Sequence, residues 1–269
     1  MLLSCSQRCS HSFFIWTKIT QIPLKRDEYE KIKRIAQRLD TVASFSQKLQ
    51  LCESTYAVQD LALKLSLRKT LKQLCAWDNS LISYLTDWLP LLAFPFVKLM
   101  PRNGLYRFEL LATLLVNGLM CLSSDRRQKV HDIITNESPK LMAAYRMRGV
   151  GISDFFHPLL ESLFSDVFYR DDWLAIVDHV VSYGIEFVDC AAIAYNLVHR
   201  NQLARLDTRA EVVDFLRHQQ QATDFDAIVA KAEQLRSKYY AERTFANYAD
   251  VASPVTGDVY LNRSVVERI

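Results

Sequence analysis

The side chains of this sequence that could do chemistry are a carboxylate beside a histidine and a pair of adjacent carboxylates. Asp178 and His179 could act as an acid/base pair. Adjacent residues on a helix do not face one another, however, so a buried, hydrogen-bonded structural role is the favoured interpretation. Asp171 and Asp172 could bind a metal ion, but the favourable field at a helix start explains two carboxylates equally well.

Cysteines are the other candidate ligands. The six cysteines lie at positions 5, 9, 52, 75, 121 and 190, and no two of them form a Cys-x-x-Cys pair. Cys5 and Cys9 precede His11, but no second pair of ligands follows, whereas zinc sites contain recurrent, closely spaced pairs. We therefore predict buried, reduced thiols in an intracellular protein, with no metal and no cofactor.

The sequence lacks the motifs of the common enzyme classes: phosphate-binding loop, dinucleotide fold, zinc protease and serine hydrolase. Thirty-three Lys and Arg residues against 30 Asp and Glu leave a net charge of +3, too weak to predict nucleic acid binding. The most apolar stretches, 88–99 and 105–122, contain charged residues. A membrane span needs about 20 apolar residues, so we predict no membrane-spanning segment, and the first residues do not resemble a secretory signal.

The elements that must position any site are predicted to be helices. Only six Gly and seven Pro occur in 269 residues, where ordinary usage would give roughly 32 of the two together. Apolar residues recur at helical spacing and nowhere alternate as in a strand. We expect an all-α, irregular multi-helix protein with an N-terminal segment (1–10), one domain (11–220), a C-terminal helix (221–245) and a loosely ordered tail (246–269).

Several helix boundaries are predicted by capping chemistry. Thr208 and Glu211 have the spacing of a capping box, and Gly184 is placed to end a helix. Asp224 should begin the last helix, and Ser124 with Asp125 should form the N-cap of a short helix that ends near position 136.

One stretch resembles a known family. Residues 76–88, A-W-D-N-S-L-I-S-Y-L-T-D-W, resemble the TBC domain motif A-Y-x-N-P-x-V-G-Y-x-Q-G-M, and an apolar helix follows in both. Residues 164–168 and 173–179 are similar to the family segments L-F-x-x-x-F and V-x-R-I-W-D. Residues 13–16 resemble the end of R-x-x-x-W. The resemblance covers roughly residues 11–200 and implies a TBC-type (Rab-GAP) fold.

Within the family, residues 88–99 resemble a divergent WD-repeat-containing branch found at centriolar satellites and cilia. This resemblance implies a cytoplasmic location that is centrosomal or ciliary. Members of that branch also carry a propeller and a coiled coil outside the TBC domain. A truncated gene model, a short paralogue and a lineage-specific reduction therefore stay open as alternatives.

The resemblance also implies a chemistry. TBC domains accelerate GTP hydrolysis by Rab GTPases with an arginine finger, which neutralises charge on the transferred phosphoryl group, and a glutamine finger, which orients the attacking water. Here the glutamine position is Thr86 and the arginine of R-x-x-x-W is Ser12. The finger motif I-x-x-D-x-x-R is not found, so Arg68 and Lys69 are the remaining candidates, although solvated helix residues are the favoured interpretation of both.

The framework positions of the motifs are retained at Trp16, Tyr84, Trp88 and Asp178. The family's two glycines and its proline around the glutamine are replaced by Ser83, Asp87 and Ser80, respectively. We therefore expect a degenerate GAP that binds a Rab-type GTPase or a scaffold protein. An active Rab-GAP with displaced fingers, and a helical scaffold unrelated to GTPases, are the alternatives.

Overall fold

The computed structural model describes Trp16, Ile22 and residues 24–220 and 223–240. These residues form α-helices and short 3₁₀ helices and contain no strand, which confirms the all-α prediction. The predicted N-terminal segment (1–10) and tail (246–269) lie outside them, and the boundaries assigned to the main domain stay a prediction. The chain separates into two compact units.

The first unit comprises the described part of Thr20–Asn117. Its α-helices are α1 (Arg26–Arg38), α2 (Ala43–Thr55), α3 (Leu61–Trp77), α4 (Leu89–Leu99) and α5 (Gly104–Val116), with 3₁₀ helices at Leu39–Thr41 and Asn79–Tyr84. Helices α1, α4 and α5 all pack against α3. The centre of this unit is therefore α3, the helix that leads directly into the family-like motif.

A buried carboxylate fixes the start of α1 in this unit. Glu109 on α5 is fully buried, and its two oxygens accept the backbone N–H groups of Leu24 and Lys25, each at 2.7 Å. Lys25 is the N-cap of α1, so the carboxylate lies where the helix dipole favours negative charge and where backbone donors lack partners. The charge of Glu109 is thus compensated by the helix end that it holds in place.

The second unit comprises Trp16 and the described part of Gly118–Asn247. Its helices are α6 (Ser124–Glu137), α7 (Pro139–Met147), α8 (Ile152–Phe155), α9 (His157–Glu161), α10 (Arg170–Tyr183), α11 (Ile185–Val198), α12 (Arg200–Leu203), α13 (Arg209–Phe215) and α14 (Phe225–Tyr239). Helix α11 is buried along most of its length, and α14 packs closely against it. The predicted C-terminal helix is therefore part of this core.

The capping predictions are largely confirmed. Thr208 Oγ1 accepts the backbone N–H of Glu211 at 3.2 Å, and the Glu211 carboxylate accepts the Thr208 N–H at 3.1 Å, which closes the capping box. Gly184, with φ of 83°, ends α10, and Asp224 caps α14. The N-cap of α6 differs from the prediction by one residue, because Ser123 and not Ser124 caps the helix.

Two bulky residues in the segment before Phe168 adopt backbone conformations that usually require glycine. Leu163 and Phe164 have φ of 46° and 64°, and both side chains are fully buried. Trp173 Nε1 donates to the Leu163 carbonyl at 2.9 Å, and the Phe164 ring stacks on Phe168 with centroids 5.8 Å apart. Such strain persists only where surrounding contacts over-determine it. The family-like segment 164–168 is therefore a structural part of the second unit.

Among the described residues, no helix combines the length and the apolar character that crossing a membrane requires. The apolar run 105–122 contains α5, which ends at Val116, and Gly118 follows with φ of 85°. Its side chains from Tyr106 to Leu114 are buried in the core of the first unit. Both apolar runs are thus core helices, as the sequence predicts.

Candidate functional site

The motif loop, residues 78–88, connects α3 to α4 in the first unit. Asp78 ends α3, and its side chain accepts the backbone N–H of Ser80 at 3.0 Å. The chain then forms the 3₁₀ helix and a turn in which the Asp87 N–H donates to the Tyr84 carbonyl at 3.1 Å. The loop is therefore a compact, internally bonded structure at the end of the central helix.

The motif loop adopts this conformation without glycine. None of its residues has a positive φ, and 3₁₀ geometry lies in a region that any residue can adopt. Ser80, Ser83 and Asp87 therefore fit the loop without backbone strain. The three replacements therefore change which side chains the loop presents to solvent, but they do not prevent the loop from forming.

Tyr84 and Trp88 contact each other at the surface of the motif loop. Their ring centroids lie 4.9 Å apart at an interplanar angle of 34°. Trp88 is buried, whereas Tyr84 is 39% exposed. Thr86, which lies between these two residues in sequence and stands at the position of the family's glutamine, is half-buried. The loop thus presents an aromatic ring and a hydroxyl group, and it offers no side-chain amide at position 86.

Two side chains that the sequence did not single out hold the motif loop: Lys48 on α2 and Tyr56, which directly follows that helix. Tyr56 Oη donates to the Asp87 carbonyl at 2.6 Å, and Lys48 Nζ donates to the Ile82 carbonyl at 3.5 Å. Both partners are more than 30 residues away in sequence, so no spacing rule could have linked them. A tyrosine just after a helix is a common residue and carries no signal of such a role.

The candidate finger residues lie on α3 and are engaged or solvated. Arg68 Nη1 lies 3.3 Å from Glu53 Oε1, and Lys64 Nζ lies 3.7 Å from Glu53 Oε2. Lys69 is exposed. Arg68 also lies nine residues before Trp77, which places it about 13 Å from the end of α3 along the helix axis. The positive charge of the Arg68 guanidinium is thus paired with the Glu53 carboxylate on α2, and the guanidinium is far from the motif loop.

The other two framework residues meet in the second unit. The indole Nε1 of Trp16, which is fully buried, donates to the carboxylate of Asp178 on α10. His179 has different partners, because its Nδ1 lies 2.7 Å from the Ala175 carbonyl and its ring stacks on Phe187 with centroids 4.9 Å apart. Asp178 and His179 thus have different hydrogen-bond partners, and both are half-buried and not buried as the sequence predicts.

The structure therefore brings the four framework residues together as two pairs. Tyr84 contacts Trp88 in the first unit, and Trp16 contacts Asp178 in the second. The finger candidates Arg68, Lys69 and Thr86 belong to the first unit, and Ser12 lies outside the described residues.

The thiols of the described residues are mostly buried, as predicted, with Cys121 as an exposed exception. Burial raises the pKa of Cys52 to about 11 and raises the pKa of Cys75 still further. Such thiols stay protonated at neutral pH, and a metal would need the thiolate. Asp171 and Asp172 lie in the first turn of α10, and no cluster of three possible metal ligands occurs in the part of the chain that the structure describes. Cys5, Cys9 and His11 lie outside that part.

An all-α fold with this motif loop after a central helix, together with the Trp16–Asp178 pair, fits the TBC-type fold that the motifs predict. The chain is similar to TBC1 domain family member 31 from Xenopus laevis, with 28% identity over 239 residues that cover 86% of this chain and 21% of the relative. It is also similar to the Bos taurus protein of that name (28% identity over 232 residues, 84% of this chain and 21% of the relative). The Homo sapiens protein is 25% identical over the same number of residues and the same shares.

These similarities support the TBC domain family for this chain, as the motifs predicted. No family model matches the sequence. The chain spans about a fifth of the length of the curated relatives it matches. The similarity supports a TBC/Rab-GAP-like domain for this chain.

Proposed function

We propose that this TBC-type domain binds a Rab-type GTPase, or a scaffold protein, without accelerating GTP hydrolysis. The observation that carries the proposal is the motif loop itself. It keeps a framework of Tyr84 packed on Trp88 while Thr86 stands at the glutamine position. A threonine side chain is two atoms shorter than glutamine and lacks the amide that both donates to and accepts from a water molecule.

The surroundings of Arg68 support the same proposal. An arginine finger acts by placing an unbalanced guanidinium against developing phosphoryl charge, an effect worth about 10³ to 10⁵ in rate. Arg68 instead faces Glu53, which also lies near Lys64. A surface pair of this kind is weak, since its partners are partly exposed. Even so, a finger role would require Arg68 to leave a carboxylate, and Arg68 lies about 13 Å along the helix axis from the end of α3 that leads into the motif loop.

An active GAP with displaced fingers is the second candidate, and Lys48 is the observation that favours it. Its ammonium lies 3.5 Å from the Ile82 carbonyl, so one cation is already in place beside the motif loop. Lysine is a point charge without the planar fork that arginine offers a phosphoryl group, which makes it a weaker substitute.

Hydrolysis of GTP by a panel of Rab GTPases, measured with and without the domain, should show stimulation below about tenfold, far under the finger effect. Phosphate release in single-turnover conditions is the measurement. Stimulation above that level that disappears in the Arg68→Ala, Lys69→Ala or Lys48→Ala variant would overturn the proposal and favour the second candidate.

Replacement of Tyr84 by alanine should weaken binding of the partner GTPase by about tenfold or more, because exposed aromatic anchors dominate the energetics of interfaces. The measurement is retention of GTP-loaded and GDP-loaded Rabs on the immobilised domain, followed by titration of the retained one. Tyr169→Ala is the matched control, since Tyr169 is exposed but lies in the second unit. If no nucleotide-loaded Rab is retained, the proposal of GTPase binding is contradicted, and binding of a scaffold protein becomes the favoured function.

The cytoplasmic, centrosomal or ciliary location and a role in membrane traffic belong to the same proposal. They rest on the resemblance of residues 88–99 to the centriolar branch of the family. Imaging of the tagged chain together with centrosomal and ciliary markers tests the location directly, and a uniform cytosolic signal would contradict the centrosomal and ciliary part.

A further inference from the structure

Helix α3 has an exposed face that the motif loop does not use. Leu61, Leu65 and Lys69 follow one another at four-residue spacing and therefore lie on one side of the helix. Leu61 is 69% exposed and Leu65 is 47% exposed, and Lys69 is exposed as well. We call these three residues the α3 ridge. Two neighbouring leucines facing solvent at the start of a central helix have no role in the core of the unit.

Cations border the α3 ridge on both sides. On the side facing α2, Lys64 and Arg68 approach Glu53. On the other side, Ser66 Oγ donates to the Pro101 carbonyl at 3.4 Å, which brings the loop that carries the exposed Arg102 next to α3. Further along the helix, Lys72 pairs with Asp40.

The charges around the α3 ridge are unequal. Five cations lie on it or beside it, namely Lys64, Arg68, Lys69, Lys72 and Arg102, against the three carboxylates of Asp40, Glu53 and Asp60. The Asp60 carboxylate is already used, because it accepts the backbone N–H of Leu63 as the N-cap of α3. Among the described residues, Lys69 and Arg102 form no ion pair with a carboxylate. The surface is therefore apolar in the middle and positively charged around it.

We propose that the α3 ridge binds an acidic amphipathic helix of a partner protein. Leucines one turn apart are the anchors by which two helices pack side by side, and carboxylates flanking the apolar stripe of the partner would pair with Lys69 and Arg102. Glu53, whose carboxylate lies 3.7 Å from Lys64 Nζ and 3.3 Å from Arg68 Nη1, shows that a carboxylate pairs with the cations of this surface.

Two other occupants fit the α3 ridge less well. Nucleic acid would match the cations but would leave Leu61 and Leu65 against phosphates and water. An anionic membrane would match both, but interfacial helices insert a continuous apolar face with bulky aromatic residues. Here the opposite face of α3 is packed in the core, and two leucines are the whole apolar stripe. A protein helix needs no more than this.

This proposal is separate from GTPase binding through the motif loop, because the α3 ridge contains no residue of that loop, although it includes the finger candidate Lys69. Its test uses a synthetic helical peptide in which leucines at every third and fourth position are flanked by glutamates, with fluorescence anisotropy as the readout. The intact chain should bind this peptide and should not bind the peptide in which lysines replace the glutamates. Leu65→Asp should weaken binding by at least about tenfold. Met147→Asp, at a residue 80% exposed in the second unit, should leave it unchanged.

Charge reversal sharpens the test. The Lys69→Glu variant should lose affinity for the glutamate peptide and gain affinity for the lysine peptide, which a general loss of folding cannot produce. Circular dichroism confirms that each variant is folded. Equal binding by all variants, or no binding by the intact chain, would overturn the proposal. Binding to phosphatidylserine vesicles that Leu65→Asp abolishes, without peptide binding, would replace it by a membrane surface.

Discussion

Replacement of Asp189 by alanine should lower the free energy of unfolding by about 3–5 kcal/mol, the usual cost of breaking a buried ion pair by removing one partner. Asp189 on α11 is buried, and Arg126 on α6 donates to both of its oxygens, with Nη2 2.6 Å from Oδ1 and Nε 3.1 Å from Oδ2. Arg126 Nη1 also donates to the carbonyls of Gly118, Leu119 and Cys121. Without Asp189, the guanidinium would keep its positive charge in a site with little access to water.

Urea unfolding followed by circular dichroism measures this loss. Asp132→Ala on α6, the helix that carries Arg126, is the matched control, because its carboxylate is 56% exposed and its removal should change stability by about 0.5 kcal/mol or less. Arg126→Met should cost at least as much as Asp189→Ala, since it leaves both a buried carboxylate and the carbonyls of the 118–121 turn without their donor. A loss below about 1 kcal/mol in Asp189→Ala would contradict the structural role assigned to the pair.

Local chemistry made much of the fold predictable from the sequence. The Thr208 and Glu211 capping box, the Gly184 helix end and the Asp224 cap each depend on residues within four positions of one another, so the sequence contains the whole interaction. The division into two compact units was not predicted, because it depends on contacts between helices that are distant along the chain. The same holds for Glu109, whose partners at the start of α1 lie more than 80 residues earlier.

The candidate site was predictable to the extent that it is a linear motif. Tyr84, Thr86 and Trp88 lie in one loop, and their positions follow from the resemblance alone. The partners that decide what the loop and α3 can do were not predictable. Lys48 on α2 and Tyr56 just after it reach the loop, and Glu53 on α2 reaches Arg68. A charged residue on a solvated helix face looks the same in sequence whether or not a carboxylate on a neighbouring helix faces it.

Residues that shape the motif loop and residues that act as fingers also differ in how they respond to substitution. The motif loop tolerates Ser83 and Asp87 in place of glycine because its backbone stays in a region open to every residue. A finger residue tolerates no such change, since its function depends on one amide or one guanidinium at the right reach. A TBC-type domain can therefore keep its loop while losing its chemistry, and this is the physical basis of the binding-module proposal.

The stability of the domain should fall by about 3 kcal/mol between neutral pH and pH 4 because of His199 alone, at 1.36 kcal/mol per unit of pKa difference. His199 follows α11, is 4% exposed, and packs against Tyr195 and Phe215 with ring centroids 4.4 Å and 5.5 Å away. Burial lowers its pKa from 6.5 to about 4. Between these two values the unfolded chain binds a proton that the folded chain does not, so acid favours unfolding. The contribution is fully present above about pH 6.5 and is lost as the pH falls to about 4.

The His199→Gln variant isolates this contribution, because glutamine fills the site without titrating. Urea unfolding of both proteins at a series of pH values should give a stability difference, native minus variant, that is constant above about pH 6.5 and falls by about 3 kcal/mol as the pH is lowered to about 4. Other groups that titrate in this range, mainly carboxylates, act on both proteins and cancel in the difference. His218→Gln is the control, since it replaces a histidine whose side chain is 67% exposed. Its curve should follow the native one throughout. If the difference between the native chain and His199→Gln were independent of pH, the imidazole would be charged in the folded state, and the aromatic site around it would have to be open to water.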